Sequence, residues 1–301
     1  MAASSVRFIR KAGGRVIPAR PIGTNRLTAA ERKIADTFAK AVGDLTAGIE
    51  TPALSRALSS GSVSNAVQAF DWGAFGFRMS DTRSVLLQQI TQTGKAEAKN
   101  LAAAVGKYTF NVTDPRAASW AAARSGELVV QVSDSIRSEI RSLITNSFVN
   151  QIDPREIARQ LSQTVGLHDR WAQAVTKTYD RNFNDFLTQG YSPSDAMDAA
   201  NRVAGKYRDR LLRSRGEMIA RTEVMTAANQ GRAISWEQAA DSGLINRATS
   251  EKEWIAEGDA CPDCESLDGE MVPLDDDFSN GESMPPDHPS CRCTAVLIPG
   301  E

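Results

Sequence analysis

Histidine occurs only twice in the 301 residues, at His168 and His288, and no cysteine precedes position 261. Aromatic residues are sparse, at 6%, and no apolar run approaches the 18 or so residues that cross a bilayer. The basic N-terminus leads into no apolar core, so it does not read as a secretory signal. Net charge is only −2, so the bulk charge does not mark a nucleic-acid binder. Zinc deaminase chemistry needs His-x-Glu upstream of Pro-Cys-x-x-Cys. His168 is followed by Asp169 and Arg170, and no further histidine stands before His288, which excludes that class. No phosphate-binding glycine loop is present either. The expectation is a soluble chain made in a cytoplasm, with no membrane span.

What the chain does have is alanine and a hydrophobic content of 41%, enough for a packed, mostly helical core. The expected fold class is mainly α, a multi-helix body followed by a small zinc-stapled α+β C-terminal lobe. All four cysteines, Cys261, Cys264, Cys291 and Cys293, lie within 33 residues together with His288. A Cys-x-x-Cys turn places two thiolates on one ion at about 2.3 Å. His288-x-x-Cys291-x-Cys293 offers three donors for the two remaining positions, so four of these five are expected to bind. Disulfides are the competing reading, and a reducing cytosol disfavours them. An open catalytic site needs only three protein ligands, so five donors argue for a closed, structural zinc site.

Residues 1–26 hold Arg7, Arg10, Lys11, Arg15, Arg20 and Arg26 and no acid, among several glycines and prolines. They read as a flexible basic arm, with Arg7, Arg10, Lys11, Arg15 and Arg20 as candidate DNA contacts. Residues 27–126 read as a helical, partner-binding region. In it, Thr28 and Glu31 form a capping box before a helix reaching about Ile49, Thr51-Pro52 starts a short helix, and 81–106 is a long one. The densest aromatic patch runs from Phe70 to Phe77, and Tyr108 to Val112 suggests a short strand. Asp114-Pro115, Asp153-Pro154 and Ser192-Pro193 each have the form of a capped helix start, and Asp153 to Glu156 suggests a second capping box. Residues 127–240 therefore read as packed helices. The last is the stretch Lys206 to Ala239, with a break expected near Gly216. Its basic run, Arg202, Lys206, Arg208, Arg210, Arg213 and Arg215, reads as a solvated face or a contact for nucleic acid or a partner. Arg221 and Glu223, two apart on a helix, do not face each other and read as a structural polar network tying the helix to the lobe. From 251 to 288 thirteen acids stand against Lys252 alone. Leu267 to Val272 suggests a hairpin turned by Asp268-Gly269, and Arg292 to Ile298 a closing strand, completing a lobe over 251–298.

These C-terminal motifs resemble those of the minor head (head morphogenesis) proteins of tailed phages, the group related to the Mu F and SPP1 gene 7 products. The resemblance rests on Arg221-Thr222-Glu223, Trp254, Cys261 and Cys264, Leu267-Asp268-Gly269, and His288-Pro289-Ser290-Cys291-Arg292-Cys293, in that order. A weaker helical likeness runs back to Glu127, setting a minor-head-like domain at 127–301. The resemblance implies a non-enzymatic virion structural protein acting in head assembly. It would sit at or near the portal, with the portal protein and other head proteins as partners, and pass through the host cytoplasm during assembly. Two alternatives stand beside it. One is a DNA-binding accessory factor of packaging or ejection, which would meet packaged DNA. The other is a zinc-dependent hydrolase; a Cys–His nucleophile pair is also formally available in His288 and Cys291, beside three more thiols competing for metal.

Overall fold

The computed structural model describes residues 27–49 and 51–300; the basic arm, with Arg7, Arg10, Lys11, Arg15 and Arg20, lies outside the described residues. The chain forms two compact units, each discontinuous in sequence. One combines Ile34–Thr82 with Arg124–Glu217. The other combines residues 27–33 with Arg83–Ala123 and residues 218–300. The boundary expected at 126/127 falls inside a helix.

Helix α1 (Ala29–Ala47) starts at the capping box. The Thr28 amide donates to Glu31 Oε2 at 2.6 Å, and the Glu31 amide donates to Thr28 Oγ1 at 3.2 Å. Three short helices follow: α2 (Pro52–Ser59), α3 (Val63–Gln68) and α4 (Trp72–Met79). Thr51, Ser62 and Asp71 cap them by accepting from the amides of Leu54, Asn65 and Ala74, supplying partners for amides a helix start leaves unpaired. Helix α5 (Thr82–Val105) leads to α6 (Pro115–Val149), α7 (Pro154–Thr164), α8 (Asp169–Thr188) and α9 (Pro193–Asp241). All three cap-and-proline pairs thus open helices, because proline's fixed φ suits a first helical turn. The second capping box does not close. Asp153 accepts from the Arg155 amide at 2.8 Å, but Glu156 is taken by Arg159 and Gln160 instead.

The first unit is built on Phe38, Leu45, Leu54, Phe75, Met79, Ile136 and Ile144, all buried. Its aromatic patch is mostly core: Phe70 and Phe75 are buried, and Trp72 donates its indole N–H to the Val67 carbonyl at 2.8 Å. Only Phe77 turns outward, 81% exposed. The basic run of α9 divides. Arg202, Lys206, Arg210 and Arg213 are exposed, whereas Arg215 is buried, donating to Glu139 at 3.1 and 3.2 Å and to Ser135 at 2.9 Å. Arg208 is drawn inward to the Val165 carbonyl. Burial pushes the Glu139 carboxyl up, against the lowering effect of Arg215. The expected break near Gly216 is absent; α9 runs unbroken for 49 residues. A Cβ at Gly216 would stand 3.2 Å from the Phe38 ring and 3.3 Å from the Ala35 carbonyl, so this glycine serves a close approach to α1.

In the other unit, Leu101, Trp236, Ile245, Trp254, Leu267, Phe278 and Leu297 form one core with Cys264, Cys291 and Cys293. The strand expected over Tyr108 to Val112 does not form. Its polar groups are claimed by α9 instead: the Tyr108 hydroxyl donates to the Ser235 carbonyl at 2.7 Å, and the Gln238 amide accepts from Asn111 N (2.8 Å) and donates to Asn111 O (3.2 Å). A three-stranded antiparallel sheet follows, with β1 (Glu251–Ile255) between β2 (Met271–Pro273) and β3 (Thr294–Ile298). Lys252 pairs with Val272 on one side and Leu297 on the other. The closing strand is therefore present. The hairpin is not within 267–272, because Leu267 ends the short helix α10 (Pro262–Ser266). Gly269, at φ +81°, turns the chain so that its amide meets the Trp254 carbonyl at 2.9 Å, and β2 then returns along β1. Lys252, the lone cation of this stretch, is buried with Nζ 5.4 Å from the Phe278 ring. Among the described residues no helix is long and apolar enough to cross a membrane.

Within this unit α5 and α9 meet at Gly231, where a Cβ would stand 2.5 Å from the Ile90 carbonyl oxygen. A backbone oxygen cannot swing aside as a side chain can. Gly231→Ala is therefore expected to destabilise the unit by about 1–3 kcal/mol, although alanine favours helix. Thermal unfolding checks this; an unchanged or raised midpoint would contradict the close approach.

Candidate metal centre

Strand β1 ends at Ile255, and a short turn delivers Cys261 as the residue preceding α10, with Pro262 at the first helical position. Three residues apart at the start of a helix, Cys261 and Cys264 present their sulfurs to one side. The second donor group lies on the loop before β3. The Cys291 amide donates to the His288 carbonyl at 3.1 Å, closing a turn, and Ser290 sits at φ 63°. Arg292 pairs with Asp259, joining the two donor loops at their outer edge.

The five donors converge. His288 Nε2 lies 3.2 Å from the sulfurs of both Cys261 and Cys264, and the Cys264 and Cys291 sulfurs are 3.6 Å apart. Two sets can be drawn with all donor atoms within 4.8 Å of one another: Cys261, Cys264 and His288, and Cys264, Cys291 and Cys293. Cys264 belongs to both. All four cysteines are free thiols. The 3.6 Å separation is far beyond a disulfide bond of about 2.05 Å. It is close to the roughly 3.7 Å expected between two sulfurs each about 2.3 Å from one tetrahedral ion. His288 Nδ1 lies 3.0 Å from the Pro289 carbonyl. A carbonyl can only accept, so Nδ1 carries the proton and the Nε2 lone pair faces the thiols, the tautomer a metal-ligating histidine needs. The cluster could therefore hold a metal ion.

Electrostatics point the same way. A hydrogen bond from Cys293 leads the effects holding the Cys291 thiol down to about 5, while burial pushes the Cys264 thiol up to about 12. Cys293 is raised as well, chiefly by its bond to Cys291. Crowded thiols cannot all ionise alone; a cation among them would let each become a thiolate, releasing protons as it binds.

The remaining candidates sit as follows. Glu223 is buried on α9 and Arg221 is half-buried. Between them Thr222 reaches the donor loop, its Oγ1 accepting from the Ser290 amide at 2.9 Å. Two turns on, Asn229 is 0% exposed and bonds the carbonyls of Pro285 and Cys293. The sequence reading carried Thr222 only as part of a motif, with no role of its own, and missed Asn229; the two stand seven residues apart on one helix face. His168, the other histidine, lies in the other unit, 3.9 Å from a Glu139 already bonded to Arg215.

The sequence profile of a family described as phage Mu protein F like protein matches residues 138–296, more than half of the chain. The span takes in the later part of α6, the helices α7 to α9, and all five donors. No curated protein and no solved structure matches.

Proposed function

The chain belongs to the phage Mu protein F-like family, a family of phage head morphogenesis proteins, and from that premise we propose that it is a minor head protein. In this reading it docks at or near the portal vertex and is a non-enzymatic component of the virion. Convergence of five donors in two overlapping sets that share the buried Cys264 is the observation that supports the structural reading of the site. Zinc suits a tetrahedral set of thiolates and one imidazole, and four of Cys261, Cys264, His288, Cys291 and Cys293 would hold it. Bound there, it would supply folding energy to a lobe of three short strands and a five-residue helix whose own core is small. Arg221 and Glu223 would support the helix beneath that lobe. The partners are the portal and neighbouring head proteins, with Phe77 as an exposed aromatic of the region 27–126.

A second reading, contact with packaged DNA, is favoured by the exposed cations Arg202, Lys206, Arg210 and Arg213 on α9; the sequence of residues 1–26 holds six further cations and no acid. Four or more such charges would release several counterions from a duplex.

One experiment separates these. Phage propagated without the protein is expected to form shells but few DNA-filled, infectious heads. Cross-linking within complete particles is expected to join the protein to the portal. Normal infectious particles lacking the protein would overturn the assembly role; adducts to DNA without any to the portal would favour the second reading.

A further inference from the structure

We infer that Asn229 is the positioning residue through which α9 sets the geometry of the donor loop, so that metal affinity is fixed from the helix as well as by the ligands. The inference rests on the metal reading of the cluster. It starts from the bonding of one side chain. Asn229 Nδ2 donates to the Pro285 carbonyl at 2.9 Å and to the Cys293 carbonyl at 3.1 Å. Its Oδ1 accepts from Arg232 at 2.7 Å and from the Thr294 hydroxyl at 2.8 Å. Two donors and two lone pairs are all used, which is the whole capacity of an asparagine amide. The orientation is forced, since a reversed amide would set its oxygen against two carbonyl oxygens and its NH2 against a guanidinium.

The two carbonyls bracket the second donor group. Pro285 lies three residues before His288, and Cys293 is itself a donor. Thr222, seven residues earlier on the same face of α9, holds the middle of the loop through the Ser290 amide. The loop carrying His288, Cys291 and Cys293 is thus pinned at its start, middle and end by two side chains of one helix. Groups that orient ligands in this way contribute to metal affinity although they never touch the ion.

Isosteric substitution separates this role from packing. Asn229→Asp keeps shape and volume but turns an acceptor toward both carbonyls; Asn229→Ala leaves the two carbonyls buried without donors. Zn2+ affinity of the reduced full-length chain is measured by competition with a chromophoric chelator, and the Co2+-loaded protein gives a ligand-field spectrum. Both variants are expected to bind about 10–100-fold more weakly, with shifted Co2+ bands. Gln238→Ala is the control. It removes a comparably bonded, buried amide of the same helix that holds residue 111, and should lower the melting midpoint without moving affinity or spectrum. Thr294→Val, which removes one partner of Oδ1, should weaken binding in the same direction if the Asn229 variants do not fold. Wild-type affinity and spectrum in the folded variants would overturn the inference, as would an equal loss in Gln238→Ala. Absence of metal uptake by the wild-type chain would instead overturn the metal reading itself.

Discussion

Serine in place of Cys264 is expected to unravel the chain between about residues 251 and 298 while the helices before residue 200 stay folded. Cys264 is the one donor common to both sets, and its sulfur is buried against Cys291 at 3.6 Å. A serine hydroxyl is a poor, hard ligand and does not ionise near neutral pH, so the set loses its central thiolate. A structural zinc ion contributes on the order of 10–16 kcal/mol of folding free energy in small domains at neutral pH. Cys261→Ser, at the half-buried edge of the cluster, is expected to do the same less completely. Metal analysis should find about one equivalent per wild-type chain and much less in Cys264→Ser. Limited proteolysis should then cut the variant within the lobe. A Cys264→Ser protein as resistant as wild type would show that the site is not structural.

Arg215→Met is expected to destabilise the other unit by about 3–5 kcal/mol at neutral pH, because it strands a buried carboxylate. Arg215 is 3% exposed and supplies two of the bonds to Glu139. Burial already raises the Glu139 carboxyl above its ordinary value even with the guanidinium present, and removal of Arg215 would raise it further. A carboxyl raised in the folded state favours folding below its unfolded value, near 4.3, and loses that contribution as pH rises through the folded value. The deficit of the variant relative to wild type should therefore shrink on acidification toward that range. Adding Glu139→Leu to Arg215→Met should recover most of the loss, as an apolar pair replaces a desolvated ionic one. Denaturant unfolding at several pH values checks both; a single variant within 1 kcal/mol of wild type across the range would refute the account.

Legibility in the sequence followed the range of the interactions. Helix starts were readable because Thr28 with Glu31, Asp153 with Pro154 and Ser192 with Pro193 act within one turn. The donor set was readable because cysteine and histidine are absent nearly everywhere else. Tyr108 to Val112 misled because its strand-forming residues meet no strand; a glutamine side chain 127 residues away takes the place of a ladder. Gly216 misled because a glycine that breaks a helix and one that admits a neighbouring helix look alike until the neighbour is known. The basic run of α9 hid a buried ion pair, since nothing local distinguishes Arg215 from Arg213. Asn229 has no local partner at all except Arg232. The pairing of residues 83–123 with residues 218–301 could not be read, for it depends wholly on contacts across a hundred residues.

That discontinuity has a consequence at the ribosome. The apolar side of α5 finds its partners late: Ile90 meets Gly231, and Leu101 shares a core with Trp236. At about 5–20 residues per second, the interval between translating the two is on the order of ten seconds. The first unit becomes complete only at Glu217, shortly before the partners of α5 are made, so through most of that interval the apolar face of α5 is uncovered. The cysteines at 291 and 293 are made later still. A nascent chain interrupted before residue 231 is expected to keep that apolar face of α5 uncovered.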